Sequence, residues 1–250
     1  MNTTEVKSGR RVLCVGGSGS VGLMVLPYLA QHHDVTVFDL NAPPDGPWRY
    51  LPGDATSFDE VKSAAEGTDT VVFLAMGPVR DWGDPDNVAA HLKVAAVGVN
   101  QTLWAASEVG VTHAVFISSM SVYADRGESP YPAEAVDTDA TDFYGLAKRV
   151  GEQVAEAAVH EMGISVVALR LCLPTRDEDW PRQGLAHLQR IATSARDVAR
   201  AILAAIEHRD CGFDAVTISG DVDQVIMPIE KARRVLGWAP LDATSTTAEN

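Results

Sequence analysis

Basic residues are scarce in this 250-residue chain: 20 lysines and arginines stand against 34 aspartates and glutamates, a formal net charge of −14. A surface of that sign repels phosphate backbones and anionic headgroups. No basic patch interrupts it, so nucleic acid and anionic membrane are excluded as partners. Long hydrophobic runs are missing too. No apolar stretch approaches the ~20 residues that span a bilayer, and the N-terminal MNTTEVKSGRR lacks the hydrophobic region and small-residue cleavage site of a secretory leader. The chain is therefore read as soluble and cytoplasmic. Cysteine is rare. Cys14, Cys172 and Cys211 are odd in number, widely separated and without C-x-x-C spacing, which argues against a disulfide framework and a structural metal and for buried thiols. Neither a repeat of solenoid period nor a low-complexity tract is present.

What is present is 46% hydrophobic residues, enough to build one large domain, arranged in a regular alternation. RRVLCVGG is a short apolar run, VGLMVLPYLAQH has helical spacing, and DVTVFDL alternates as a strand does. A short strand at WRYLPGD, a helix near SFDEVKSAAEG and a buried strand at DTVVFLA follow. Next come one long helix over 87–110, a strand at THAVFISS, a helix over 143–162 and a strand at ISVVALRL. This order predicts an α/β fold with a Rossmann-type, doubly wound parallel sheet covered on both faces. After Leu173 the text changes to PTRDEDWPRQG, polar and Pro-bearing, hence a loop. A helix at SARDVARAILAAIEH, a strand at FDAVTIS and a helix at PIEKARRVLG complete the chain before a tail expected to fray. The expected organisation is a nucleotide-binding domain over 1–173 and a small C-terminal substrate-binding section over 174–250, integrated with the first.

Three local patterns carry chemistry. Gly16, Gly19 and Gly22 lie between the first strand and first helix, where glycine permits a tight turn and lets the helix N-terminus approach a pyrophosphate. Asp39 closes the second strand, where a dinucleotide fold presents a carboxylate to the adenosine ribose; that charge would repel a 2′-phosphate and so favours NAD over NADP. Tyr144 and Lys148, one helical turn apart, share a helix face. A phenol serves as acid or base near neutrality only if a neighbouring cation or hydrogen bond lowers its pKa, and Lys148 supplies such a cation. Ser118, Ser119 and Ser121 lie at the carboxyl end of a strand, where a parallel sheet opens its ligand crevice.

Taken together, GGSGSVG, Asp39, GDAT with Asp54, FISSMSVYA, YGLAK, TSARDVARAI and ARRVLGWAP make the chain resemble an extended short-chain dehydrogenase/reductase of the NAD-dependent epimerase/dehydratase superfamily, over residues 11–240. The resemblance implies that Tyr144 transfers the proton, that Lys148 binds the nicotinamide ribose and lowers the phenol pKa, and that Ser119 is the active-site hydroxyl. It implies cofactor contacts at Gly16, Gly19, Ser20, Val21, Gly22, Asp39, Asp54 (to the adenine amino group), Ala55, Leu74 and Ala75, besides Tyr144 and Lys148. Substrate contacts fall on Ser119, Met120, Ser121 and Arg182. It also suggests a homodimer in which the helices around 87–107 and 143–162 pair with their copies in a four-helix bundle.

The compact branch it most resembles is that of uronate dehydrogenases, where an arginine corresponding to Arg182 grips the substrate carboxylate; the other reading of Arg182 is a surface arginine paired with Asp177, Glu178 and Asp179. Departures are visible. Met120-Ser121 replaces the Asn-His pair of those enzymes, and Pro78 replaces a serine. Residues 95–99, AAVGV, stand where the family carries N-V-x-G-T, so Asn100 is the candidate to supply a polar group near the nicotinamide. Arg170, inside VVALRL, reads equally as a buried structural cation or a pocket residue. The expected activity is NAD-dependent oxidation of a hydroxyl or hemiacetal on a small sugar or sugar acid. A sugar epimerase and a non-catalytic NAD(H)-sensing protein are the alternatives.

Overall fold

The computed structural model describes residues 9–78, 84–125, 129–182, 184–209 and 212–242. Cys211 and the expected tail beyond Asp242 lie outside those residues. Among the described residues the strands are β1 (Arg11–Val15), β2 (Asp34–Asp39), β3 (Arg49–Pro52), β4 (Thr70–Phe73), β5 (His113–Ser119), β6 (Ser165–Leu171), β7 (Pro174–Thr175), β8 (Thr193–Ser194) and β9 (Phe213–Ile218). The α-helices are α1 (Ser20–His32), α2 (Phe58–Ala65), α3 (Pro85–Lys93), α4 (Val99–Glu108), α5 (Phe143–Met162), α6 (Ala186–Ile191), α7 (Ala195–Glu207) and α8 (Glu230–Leu236).

Seven strands form one parallel sheet in the order β3-β2-β1-β4-β5-β6-β9. Both faces are covered, which is why the strands read as nearly continuous apolar runs. In β1, Val12 and Cys14 face a core shared with α1 and α7, while Leu13 and Val15 face another shared with α2, α4 and α5. Burial pushes the thiols of Cys14 and Cys172 up to about 12, so both stay protonated and inert. The order reverses between β1 and β4, and a doubly wound sheet opens a crevice at such a point, outside the carboxyl ends of its strands.

Residues 174–242 are woven into this body. β9 is the seventh strand of the sheet, and the fully buried Trp238 joins the core on the α1 face. The stretch read as loop holds β7, which pairs with β8, and a 3-10 turn at Asp177–Asp179. Two-residue strands are too short to show a period in sequence. The helix read as continuous over 87–110 is interrupted by a π-helical turn at Val94–Gly98, where the wider turn takes up an extra residue.

Candidate active site

A cleft of about 480 Å³ runs across the carboxyl ends of the sheet. At one end it is walled by Asp39, Leu40, Asp54 and Ala55, in the middle by Gly16, Gly19, Ser20, Val21, Leu74 and Ala75, and at the other end by Ser119, Tyr144 and Lys148. Gly16 has φ of +80°, and a Cβ there would lie 2.2 Å from the Ala75 backbone, so the turn after β1 requires glycine. Gly22 is buried behind the turn, against Gly17. The Asp39 carboxylate is fixed by backbone N–H groups, Ser18 to Oδ2 and Asn41 to Oδ1, each at 3.0 Å. Thr56 donates to Asp54 Oδ1 through its N–H at 2.8 Å and its hydroxyl at 2.9 Å. Both carboxylates are thus oriented by the local chain.

At the opposite end the opening of α5 meets the end of β5. Asp142 caps the helix, accepting from Gly145 N at 2.9 Å. Gly145 sits so close to the preceding loop that a Cβ would fall 2.2 Å from the Ser121 carbonyl oxygen. This approach brings the Tyr144 phenol into a hydrogen bond with the Ser119 hydroxyl, which also accepts from Ser121 N at 3.1 Å. One turn on, Lys148 is 7% exposed; its Nζ donates to the Ile117 carbonyl at 2.9 Å and lies 5.7 Å from the centre of the Phe116 ring. Burial draws the Lys148 ammonium down to about 8, partly opposed by Glu152. Burial is also the largest influence on Tyr144 and moves its phenol above the ordinary range, with the Ser119 hydrogen bond acting the other way. The phenol therefore sits as a protonated acid in this arrangement, with an oxygen partner on one side and the Lys148 ammonium on the same helix face.

Other residues fall elsewhere. Ser118 lines the cleft beside Ser119, but its hydroxyl is committed to Glu152, to which it donates. Met120 is buried in a separate apolar cluster with Val122, Tyr123, Cys172, Ile191 and Met227, because the 3-10 turn after β5 carries it away from the cleft. Neither Met120 nor Ser121 forms part of the cleft wall. Arg170 is 4% exposed and locked to Glu152, which makes it a core cation. Asn100 lines no part of the cleft. The polar side chain brought to Lys148 from the neighbouring helix is His91, buried in α3 with its ring 6.0 Å from that of Tyr144. Burial and the charge of Lys148 lower the His91 pKa, so the imidazole is neutral. His91 stands one turn before Ala95, and that spacing is the signal by which the sequence could have shown it. Arg182 lines a second cavity of about 520 Å³ that shares Ser20 and Pro174 with the cleft. Among the described residues its Nε is buried without a hydrogen-bond partner, while Arg176 is the residue that pairs with Glu178, at 3.7 Å.

The family model described as the NAD dependent epimerase/dehydratase family matches residues 12–175. The chain belongs to that family. It is 26% identical to the L-arabinose 1-dehydrogenase (NAD(P)(+)) of Haloferax volcanii over 96% of this chain and 99% of that one. The glucuronic acid dehydrogenase structure from Chromohalobacter salexigens superposes with a TM-score of 0.78 at 21% identity, covering 94% of this chain and 85% of that one. The UDP-glucose 4-epimerase of Brucella ovis in complex with NAD gives 0.79 at 18%, covering 94% and 95%. At those identities the two structures establish the shared fold.

Proposed function

We propose that the chain is an NAD-dependent oxidoreductase acting on a hydroxyl or hemiacetal of a small sugar or sugar acid. The observation that carries this reading is the Ser119–Tyr144 hydrogen bond beside Lys148, at one end of a cleft whose other end holds Asp39 and Asp54. The cleft fits a dinucleotide. Gly16 leaves room that any side chain would fill, and the α1 N-terminus faces the same space. Asp39 would hold the adenosine ribose, Asp54 the adenine edge, and Lys148 the nicotinamide ribose. When bound, NAD supplies the hydride-accepting ring. Ser119 orients the substrate oxygen, Tyr144 carries its proton, and the Lys148 charge stabilises the phenolate when the proton is exchanged. Substrate contacts stay with Ser119 and, through the adjoining cavity, Arg182. The Haloferax relative is named an L-arabinose 1-dehydrogenase, which supports a sugar over a sugar nucleotide as the substrate.

The test is NADH appearance from purified protein across aldoses, uronates and polyols, with NAD and NADP compared. NAD should be favoured by roughly tenfold or more, because Asp39 would face the extra phosphate. Product and NADH should form in step; isomerised sugar without NADH release would instead identify an epimerase. If the best substrate is an acid, Arg182→Ala should weaken it by about 1.5–3 kcal/mol and spare NAD, since its partnerless Nε lacks an acceptor that a carboxylate provides. No turnover with any sugar, together with NAD binding, would leave the sensing alternative.

The same reading includes a homodimer through the helices around 87–107 and 143–162. Trp104 is 49% and Val97 39% exposed on the first of these helical stretches, apolar surface that a helix pair would cover, whereas Leu103 belongs to the subunit's own core. Sedimentation should give about twice the 26.7 kDa chain mass; a monomer at all concentrations would end this assignment.

A further inference from the structure

Two turns of α5 beyond Tyr144 lies a buried ion pair that the chemistry above does not use. Glu152 Oε1 accepts from Ser118 Oγ at 2.6 Å and Arg170 Nε at 2.9 Å, and Oε2 accepts from Arg170 Nη2 at 2.7 Å. Arg170 Nη1 donates to the Tyr123 hydroxyl at 2.7 Å, and that hydroxyl donates to the carbonyls of Ala133 and Val136, each at 3.3 Å. A buried pair of this kind is a weak source of stability compared with apolar groups of the same volume, so its presence beside a reactive lysine calls for another explanation.

We infer that Glu152 is a positioning residue for Lys148: its carboxylate, immobilised by Arg170 and Ser118, keeps the Lys148 ammonium charged where it lines the cleft. The inference rests on reading Lys148 as the group that poises Tyr144. Lys148 and Glu152 stand four apart on one helix face, within reach of each other's charge. The strand that packs against them completes the arrangement: Ile117 offers Lys148 its carbonyl, and the next residue, Ser118, pins Glu152. Around Lys148, β5 contributes that carbonyl and the Phe116 ring, the end of β4 contributes Phe73, Ala75 and Met76, and α3 contributes the neutral His91. Arg170, from β6, lies behind Glu152 with its donors directed to Glu152 and Tyr123. On α5 itself Asp142 acts on Tyr144, and Glu152 is the anion that acts on Lys148. Burial works to strip the ammonium of its proton, and this carboxylate opposes it.

The chain has five lysines, so a side-chain NMR titration with ε-¹³C-lysine resolves Lys148, assigned by the signal missing from Lys148→Arg. In full-length Glu152→Gln the Lys148 midpoint should fall by about one pH unit or more. Glu152→Asp keeps the charge on a shorter arm and should titrate close to wild type. A purely structural role would make Asp, which disturbs the hydrogen bonds more than Gln does, at least as damaging. Should Glu152→Gln leave the buried Arg170 charge uncompensated and fail to fold, Glu152→Gln/Arg170→Gln removes both charges and should show a smaller fall, because loss of the Arg170 cation offsets part of the loss of the carboxylate. An unmoved midpoint in either folded variant, or Glu152→Asp falling as far as Glu152→Gln, overturns the inference. The titration needs no substrate, so a silent sugar panel would sink the oxidoreductase reading without touching this result, and the reverse also holds.

Discussion

Tyr144→Phe is expected to lower kcat by about 10²–10⁴-fold, the range for removing a positioned proton-transfer group, while leaving NAD affinity within a few-fold of wild type. The substitution deletes one hydroxyl and keeps the ring that packs at 6.0 Å from His91, so the start of α5 keeps its packing. What disappears is the hydrogen bond to Ser119 and with it the proposed acid–base group. Initial rates on the best sugar, together with NAD titration followed by protein fluorescence, separate the two effects. Wild-type turnover in this variant would dismiss Tyr144 from the chemistry whatever the substrate.

Gly145→Ala should slow the reaction by about 10²-fold without touching any reacting group. Intrinsic helix propensity favours the change by about 1 kcal/mol, and at an open helical position alanine would stabilise. Here the new Cβ would lie 2.2 Å from the Ser121 carbonyl oxygen and 2.5 Å from the Ala140 Cβ. The first turn of α5 must therefore back away from the loop that follows β5, carrying Tyr144 away from Ser119. A misplacement on the order of 1 Å costs about 10²-fold in a positioned reaction. The decisive comparison is kcat against thermal stability: a fully active Gly145→Ala enzyme would show that the close approach has no part in aligning the pair.

The sequence was most informative where local periodicity and local chemistry coincide. The helix read over 143–162 is α5, Phe143–Met162, and the glycine turn, Asp39, Ser119, Tyr144 and Lys148 line one cleft. It was silent where a partner lies far along the chain. Arg170 could not be assigned because Glu152 reaches it from another element, and the Arg182 cavity depends on how the loop after β6 folds back toward Ser20. The π-helical turn was hidden because VAAVG carries no residue that marks one extra position in a turn. The direction of Met120 turns on a single 3-10 turn that follows the end of β5. The lowered pKa of Lys148 needed its depth of burial, which no spacing rule contains.

The position of β9 has a consequence for how the molecule is made. β6 has β5 on one side and β9 on the other, yet β9 is translated only after α6, β8 and α7. A chain emerging from the ribosome N-terminus first can assemble the sheet from β3 to β6 and must then wait with the apolar edge SVVALRL unpaired. Closure comes late and from the end of the chain: Trp238 Nε1 donates to the Asp197 carbonyl at 3.0 Å, and the Asp197 carboxylate receives the N–H groups of Leu241 and Asp242. Between the emergence of β6 and that of β9, the β6 edge thus stands without its second neighbour.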